Sequence, residues 1–427
     1  MGEGAAGAGD GAPTGLSALL RPEGWALLEA LPPYDPDRAL ALGERLRADG
    51  VPPGTVAAAL TQSRLRAAAR DKVGAFADGM LFTPDGLEQA TRLPVAARHA
   101  ARLRAAGATR VADLGCGIGV DALAMAGMDL AVDAVERDEA TAAVATVNLR
   151  HFPRARVHLG DATGFPAALP VAQPGTPGGV DAAWADPARR AGGRRLTDPE
   201  AWSPPLSWAL GLPGTGVRAV GVKVAPGVDH ALVAPGGPAH GWTAAWTSVD
   251  GDVVEAVLWW GAAAVTGAAR SATVLRSVTR DGAVEVQEAG TLTDVGLPVP
   301  PVGGVGAYLH EPDGAVVRAG LVGHVAAAVG GRLLDPMIAY VTADDLVPSP
   351  LARSYEVRAV LPWGLKRLRA YLRGHGVGRV TVKRRGSPID PDELRRALRL
   401  DGDGEATVVL TRRGDERLVL VVDPVTA

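Results

Sequence analysis

The chain is poor in cysteine and in aromatic residues, and both shortages narrow the chemistry open to it. Its 427 residues include one cysteine, Cys116, and only 4% of them are aromatic. A single cysteine excludes an intramolecular disulfide and a zinc cluster built on cysteines. The eight histidines are scattered along the chain without the spacing of metal ligands, so no metal site is predicted.

Long apolar runs are also absent. The hydrophobic share of 47% and the charged share of 21% are typical of soluble globular proteins. Charged residues interrupt the apolar stretches, as Asp129 and Asp133 do, so no membrane-spanning segment is predicted. The stretch from Met1 to Pro13 lacks the basic and apolar regions of a secretory signal peptide. We therefore expect a cytoplasmic protein with no membrane partner.

The net charge of −3 conceals a basic region near the end of the chain. Residues 351–400 carry 13 Lys or Arg against 4 Asp or Glu, a balance of +9, so the remainder carries −3 − 9 = −12. A basic module on an otherwise acidic chain indicates a polyanionic partner, and nucleic acid is the obvious one. The alternative is an arginine-rich surface that only faces solvent.

The length exceeds one ordinary hydrophobic core, so several domains are expected. Apolar residues first recur at helical spacing, then strands alternate with helices, and the tail has the order strand, helix, strand, helix, strand, strand. We predict an α/β protein whose parts are a disordered start (1–14), a helical domain (15–106), a doubly wound Rossmann-like sheet domain (107–265), a connecting segment (266–345) and a small ferredoxin-like α/β domain (346–427).

A glycine loop carries the strongest functional signal. The run Val111–Ala124 (VADLGCGIGVDALA) leads from a strand through Gly115, Gly117 and Gly119 into a helix. Glycines let the backbone turn sharply and approach a ligand, and the helix start suits anionic groups and ribose oxygens. Asp113 at the tip of the strand is expected to lie near the ammonium group of a bound cofactor that contains a methionine moiety.

Three acidic residues follow three successive predicted strands, namely Asp113, Glu136 and Asp161. Open α/β sheets bind ligands at the carboxyl ends of their strands, where Glu136 suits a ribose diol and Asp161 an adenine amino group. Taken singly, each residue would more often be a helix cap or a solvated loop residue. A nicotinamide cofactor competes, because the loop also matches G-x-G-x-x-A, but Asp113 and the preceding helical domain argue against it. The ordered series therefore predicts S-adenosylmethionine.

Two further segments are candidates for the site. The fourth strand ends at Asp186-Pro187-Ala188-Arg189, where a rigid Asp-Pro turn can hold a substrate or accept a proton, so Asp186, Pro187 and Arg189 are the predicted catalytic residues. Upstream, the segment Leu81–Thr91 (LFTPDGLEQAT) includes Thr83 and is expected to close over the methionine end of the cofactor. Helix capping by Thr83 and an ordinary turn after the strand are the alternatives.

These segments together resemble class I methyltransferases with a THUMP-like C-terminal domain, of the type found in actinobacteria. The resemblance is carried by Phe82–Thr91, the glycine loop, Asp186–Arg190 and, in the tail, Ser354–Val357, Val382–Gly386 and Asp390-Pro391. It implies a methyl-transferring enzyme, and because THUMP domains are associated with RNA it implies RNA contacts at Lys383, Arg384 and Arg385. Methyltransferases of exocyclic base amines typically have Asn/Asp-Pro-Pro followed by an aromatic residue. Ala188 and Arg189 depart from that pattern and weaken the case for such an acceptor.

The leading hypothesis is methylation of tRNA or rRNA at a nitrogen or oxygen atom. Cys116 lies inside the cofactor loop, so no cysteine is left for the covalent catalysis that methylation of pyrimidine carbon 5 needs. Transfer to nitrogen or oxygen requires little beyond alignment, desolvation and a proton acceptor. The alternatives are a small-molecule methyltransferase whose C-terminal domain is an interaction module, and a non-catalytic RNA-binding protein.

Overall fold

The computed structural model describes residues 15–171, 178–191, 194–280, 283–296 and 299–425. The predicted disorder of residues 1–14 lies outside these ranges. The chain divides into two compact units, Met1–Gly221 and Val222–Ala427, with the boundary inside a strand. None of the helices in the described ranges is long and apolar enough to cross a membrane.

The first unit begins with the predicted helical region. Its 21-residue helix starts at Pro53, where the missing N–H of proline costs nothing, and ends at Val73, followed by the cap residue Gly74 with φ of +60°. The helices are α1 (Leu16–Leu19), α2 (Pro22–Ala30), α3 (Ala39–Ala48), α4 (Pro53–Val73), α5 (Pro84–Gln89) and α6 (Leu93–Ala105).

A sheet follows in the same unit, and it confirms the predicted doubly wound, Rossmann-like fold. Strand β1 pairs in parallel with β2 and with β4, and β2 pairs in parallel with β3, giving the order β7-β4-β1-β2-β3. Four of its strands are almost wholly buried and mostly apolar, as strands covered on both faces require. The elements are β1 (Arg110–Leu114), α7 (Val120–Gly127), β2 (Ala131–Glu136), α8 (Glu139–Asn148), β3 (Ala155–Leu159), β4 (Ala182–Ala185), β5 (Arg190–Ala191), β6 (Arg194–Arg195), α9 (Leu206–Leu210) and β7 (Ala219–Val224).

The second unit opens with strands β8 (Thr243–Val249), β9 (Asp252–Gly261), β10 (Arg270–Arg280) and β11 (Ala283–Thr293). A hairpin turn at Asp250-Gly251 joins β8 and β9, and both turn residues have the positive φ values (+54° and +98°) that a tight hairpin turn needs. Strand β10 pairs in parallel with β8 and in antiparallel with β11.

The rest of the second unit is a seven-stranded sheet with helices. Its strand order is β13-β14-β12-β15-β18-β17-β16. Leu368 and Leu372 of one helix and Leu394 and Leu398 of another pack onto one face of this sheet. The elements are β12 (Tyr308–Pro312), α10 (Gly314–Arg318), α11 (Val322–Ala328), β13 (Arg332–Asp335), β14 (Ile338–Ala343), β15 (Ala352–Pro362), α12 (Leu365–Gly374), β16 (Val377–Arg384), α13 (Pro391–Leu398), β17 (Gly404–Arg413) and β18 (Glu416–Pro424).

The tail has the predicted order of strands and helices. The range 266–345, predicted as a connecting segment, contains strands β10 to β14 and two helices. Strands β12, β13 and β14 are hydrogen-bonded into the same sheet as the tail strands, so the tail sheet is larger than the sequence indicated.

Candidate functional site

Two of the predicted loops meet where the strand order of the first sheet reverses. The chain runs outward from β1 to β2 and β3, and then returns to β4 on the other side of β1. Leu114 and Ala185, the last residues of β1 and β4, are register partners. The next residues are therefore neighbours: a Cβ placed on Gly115 would lie 3.3 Å from the carbonyl oxygen of Asp186. Ligands of open α/β sheets bind at such a point.

The glycine loop has a backbone that a ligand can approach. Gly115, Gly117 and Gly119 have φ values of +90°, +55° and +85°, which L side chains rarely adopt. A Cβ on Gly117 would have no heavy atom within 4 Å, so the backbone faces open space there. The loop is anchored from behind, because Val135 O accepts hydrogen bonds from the N–H groups of Gly115 and Cys116, both at 3.0 Å. This cradle fits the cofactor predicted from the sequence.

Glu136, the last residue of β2, is held in place by the glycine loop. One carboxylate oxygen accepts the N–H of Gly117 at 3.1 Å, and the other accepts the N–H of Asp138 at 2.8 Å. The side chain is half-buried. A carboxylate oriented by two backbone donors keeps further lone pairs for other donors, so it is suited to the two hydroxyls of a ribose.

Asp113 is fully buried near the end of β1, with Ala134 and Trp184 as its register partners. Its charge acts on the loop: the pKa of the Cys116 thiol is raised first by burial and then by the negative charges of Asp113 and Glu136. Cys116 therefore stays a neutral thiol and a poor nucleophile at neutral pH.

Asp161 is exposed and follows β3 by two residues. Its side chain caps a short 3-10 helix (Ala162–Gly164), accepting the N–H and the hydroxyl of Thr163 at 2.8 and 2.7 Å. The hydroxyl and backbone hydrogen bonds from Thr163 lower the pKa of Asp161, so it is ionised. The capping role weighed from the sequence is present, and its contact with adenine stays a prediction.

Thr83 is likewise a cap, and it lies beside the glycine loop. Its hydroxyl oxygen accepts the N–H of Gly86 at 3.0 Å at the start of α5. A Cβ on Gly86 would come within 2.4 Å of the side chain of Ile118, so this turn packs directly on the glycine loop. The structure thus brings the upstream segment to the loop, and a direct contact of Thr83 with the cofactor stays a prediction.

The predicted catalytic loop after β4 is braced against a neighbouring segment. Asp186 and Arg189 are half-buried and Pro187 is buried. Ala188 forms an isolated bridge with Ser203, donating to its carbonyl at 2.8 Å and accepting its N–H at 3.1 Å. The loop is therefore fixed beside the glycine loop. The catalytic roles of Asp186, Pro187 and Arg189 stay predictions.

Sequence reasoning missed a series of buried side chains that connects the upstream segment, helices α6 and α7 and strand β4. The carboxylate of Asp121, in the first turn of α7, accepts the hydroxyl of Thr91 at 2.6 Å and contacts His99 Nδ1 at 2.8 Å. The His99 ring stacks on Trp184 of β4 with 4.3 Å between the ring centroids. Only the acidic residue in the first turn of a helix is a sequence signal, and it indicates no more than a favourable charge.

The predicted RNA contacts in the tail are in different environments. Lys383 forms an ion pair with Glu311 at 2.7 Å, and Arg385 lies 3.7 Å from the same carboxylate and donates to Ala339 O at 2.9 Å. Burial by itself lowers the pKa of Lys383, but the bond to Glu311 outweighs it and the pKa is raised. Arg384 is exposed and donates to Ile389 O. Two of the three side chains thus hold the tail sheet together.

Other cations of the tail face solvent. Lys366 and Arg367 on α12 and Arg396 on α13 are exposed, and none of them forms an ion pair with a described residue. The two helices bury leucines on their opposite faces, so these cations stand on the outer surface of the tail. In the part of the chain that the structure describes, no three His, Cys, Asp or Glu residues are grouped so as to hold a metal ion.

Comparisons with known proteins agree with this arrangement. A family model described as THUMP domain-like matches residues 352–424, and a model described as a domain of unknown function matches residues 12–69. The chain is 38% identical over 335 residues to a protein of Mycobacterium tuberculosis, found in two strains and named an uncharacterized S-adenosylmethionine-dependent methyltransferase. The match covers 78% of this chain and 85% of that protein.

The fold also has a counterpart among solved structures. The crystal structure of a putative methyltransferase from Porphyromonas gingivalis W83 superposes with a TM-score of 0.70, covering 92% of this chain and all of that one. The two sequences are 19% identical, so the likeness is one of fold.

Proposed function

The chain belongs to the S-adenosylmethionine-dependent methyltransferases, and from that premise we propose that it methylates RNA at a nitrogen or oxygen atom of a nucleotide. The observation that carries the proposal is a THUMP-like tail with a charge of +9 over residues 351–400. Cations free of ion pairs attract phosphates without the cost of breaking an existing pair, and Lys366, Arg367 and Arg396 meet that condition among the described residues.

The proposal assigns the methyl donor to the glycine loop. S-adenosylmethionine supplies a methyl group on a positively charged sulfur, which is activated for transfer without help from a metal ion. Gly117 leaves space for the donor, Glu136 accepts its ribose hydroxyls, and Asp113 offsets the charge of its ammonium group. Asp161 contacts the adenine end of the donor, and Thr83 contacts its methionine end.

The loop after β4 positions the acceptor in this proposal. Asp186 adjoins Gly115, so a nucleotide bound there lies next to the donor loop. The bridge between Ala188 and Ser203 keeps the loop rigid, and rigid alignment of two reactants is a major part of rate enhancement in such transfers. Asp186 accepts the proton that the acceptor atom releases, and Arg189 binds a phosphate.

The raised pKa of Cys116 is consistent with a nitrogen or oxygen acceptor. A pyrimidine carbon becomes nucleophilic only after a thiolate adds to the ring. Cys116 is the sole cysteine, and its thiol is kept neutral by burial and by two carboxylates. Lone pairs on nitrogen or oxygen need no such activation.

RNA affinity measured against salt concentration tests the proposal. The triple variant Lys366→Glu, Arg367→Glu, Arg396→Glu is compared with the wild-type protein on total tRNA and on rRNA fragments. Loss of about three phosphate contacts lowers the slope of log affinity against log salt by about 2 to 3, and weakens binding similarly for all sequences. A control triple, Arg21→Glu, Arg45→Glu and Arg47→Glu, makes the same change of charge at exposed residues of the first unit and is expected to keep the wild-type slope.

The RNA proposal is abandoned if the wild-type protein shows no salt-dependent affinity, or if the triple variant binds like the wild type. Lys383 and Arg385 are unsuitable for this test, because reversing their charge breaks the bonds to Glu311 and disturbs the tail sheet. Methyl transfer that saturates with a metabolite in the absence of RNA would instead support the small-molecule alternative.

A further inference from the structure

The dipeptide Leu81-Phe82 is held by two side-chain amides from different helices. Gln62 of α4 donates from Nε2 to Phe82 O at 2.7 Å and accepts the N–H of Phe82 on Oε1 at 2.9 Å. Asn148 of α8 accepts the N–H of Leu81 at 2.8 Å and donates to Leu81 O at 3.1 Å. Each carboxamide therefore pairs with one residue as a neighbouring strand would.

Both carboxamides are buried together with the dipeptide that they bind. Gln62 and Asn148 are each 3% exposed, and Leu81 and Phe82 are at most 1% exposed. At such burial, solvent cannot replace a lost hydrogen bond. An apolar residue at either position therefore leaves one backbone N–H and one backbone C=O of the dipeptide without a partner. The spacing of donors and acceptors is thus strict, and the path of this segment depends on these two side chains.

Asn148 also reaches the glycine loop. Its Nδ2 makes a second hydrogen bond, to Ile118 O at 2.8 Å. Thr83 follows Phe82 directly and caps α5, whose Gly86 packs on the side chain of Ile118. The same amide therefore fixes the glycine loop and the segment beside it relative to each other.

Helix α4 binds more of this segment through its backbone. Arg66 donates to Met80 O at 2.9 Å, four residues along the helix from Gln62. Lys72 donates to the carbonyls of Leu87 and Glu88, both at 2.7 Å, at the end of α5. One helix of the N-terminal region thus holds both ends of the stretch that packs on the glycine loop.

We propose that Gln62 and Asn148 are positioning residues for the methyl donor. They do not touch it; they hold the turn at Thr83 against the glycine loop, so that the donor meets an assembled site. The N-terminal helices thereby contribute to donor affinity. This inference rests on the donor site assigned under the proposed function and is independent of RNA as the acceptor.

The affinity for S-adenosylhomocysteine, the demethylated product of the donor, tests the inference without any acceptor. Gln62→Leu and Asn148→Leu are titrated calorimetrically at a temperature well below their unfolding transitions. We expect each to bind at least tenfold more weakly than the wild type. Val56→Ala, which opens a cavity in the same helix away from the segment, is the control for lost stability and is expected to bind within twofold of the wild type.

Two results overturn the inference. One is wild-type affinity in folded Gln62→Leu and Asn148→Leu; the other is an equal loss of affinity in Val56→Ala at matched thermal stability. Gly117→Val tests the donor site separately from the positioning residues, because it alters the glycine loop itself. If Gly117→Val binds like the wild type, the donor-site assignment fails, and the inference fails with it.

A measurement on the wild-type protein covers the case in which the leucine variants do not fold. Hydrogen exchange of a peptide spanning residues 80–90 is followed with and without S-adenosylhomocysteine. If this segment completes the donor site, its backbone amides exchange at least tenfold more slowly when S-adenosylhomocysteine is bound. Unchanged exchange in this peptide, with slower exchange in the peptide of the glycine loop, overturns the inference.

Discussion

Replacing Glu136 by glutamine removes one negative charge while keeping the size of the side chain. In the structure, both carboxylate oxygens accept backbone N–H groups, from Gly117 and Asp138. An amide has a single acceptor oxygen, so Glu136→Gln turns an NH2 group toward one of these donors. The glutamine side chain then keeps at most one of the two bonds that anchor the loop, and it lacks the second acceptor oxygen for the ribose hydroxyls.

The expected loss of donor affinity follows from these bonds. A hydrogen bond to a charged group is worth about 1.5–3 kcal/mol, so loss of one weakens S-adenosylhomocysteine binding by about 10- to 150-fold. Calorimetric titration measures the affinity, and thermal unfolding shows whether the fold is intact. Glu139→Gln changes a nearby exposed carboxylate on α8 and is expected to bind like the wild type. If Glu136→Gln and Glu139→Gln both bind S-adenosylhomocysteine as tightly as the wild type does, the reasoning is refuted.

Three further predictions concern other parts of the chain. Leu372→Ala empties a fully buried position on α12 and is expected to destabilise the tail by about 2–5 kcal/mol in urea unfolding; a loss near zero would contradict the packing described. The alkylation rate of Cys116 by iodoacetamide is expected to keep rising above about pH 9, because burial and two carboxylates raise its pKa; a plateau below that pH would contradict this. Burial by itself raises the pKa of Asp133, but the bonds from Arg110 and His158 outweigh it and the pKa is lowered. Its stabilising effect is therefore complete above about pH 4, the pKa in the unfolded chain, and is lost as the pH falls through the lower pKa of the folded protein. In Asp133→Asn the free energy of unfolding is expected to fall less steeply as the pH is lowered below about 4.

The sheet of the first unit was predictable because four of its strands are buried on both faces. Strands covered by helices are short runs of mostly apolar residues in the sequence, as Ala219–Val224 is. The glycine loop was predictable for a related reason: positive φ values restrict Gly115, Gly117 and Gly119 to one residue type. Such constraints act locally and leave a mark on the sequence.

Long-range partners leave no comparable mark. Glu311 lies 72 residues before Lys383, and nothing in the spacing of the basic cluster indicates that this cation is already paired. Asn148 reads as an ordinary residue at the end of a helix, although it binds a segment 67 residues away. The link between the range 266–345 and the tail sheet was missed for the same reason, because strand β12 pairs with β15, which lies outside that range.

Methyl transfer to RNA is the most direct test of the account. Wild-type protein and Gly117→Val are incubated with methyl-labelled S-adenosylmethionine and RNA from a strain lacking the enzyme. We expect label in a discrete RNA species with the wild type, on a nitrogen or oxygen of one nucleotide, and none with Gly117→Val. Absence of label from RNA with a wild-type protein that binds the donor, or label on a pyrimidine carbon 5, would contradict the account.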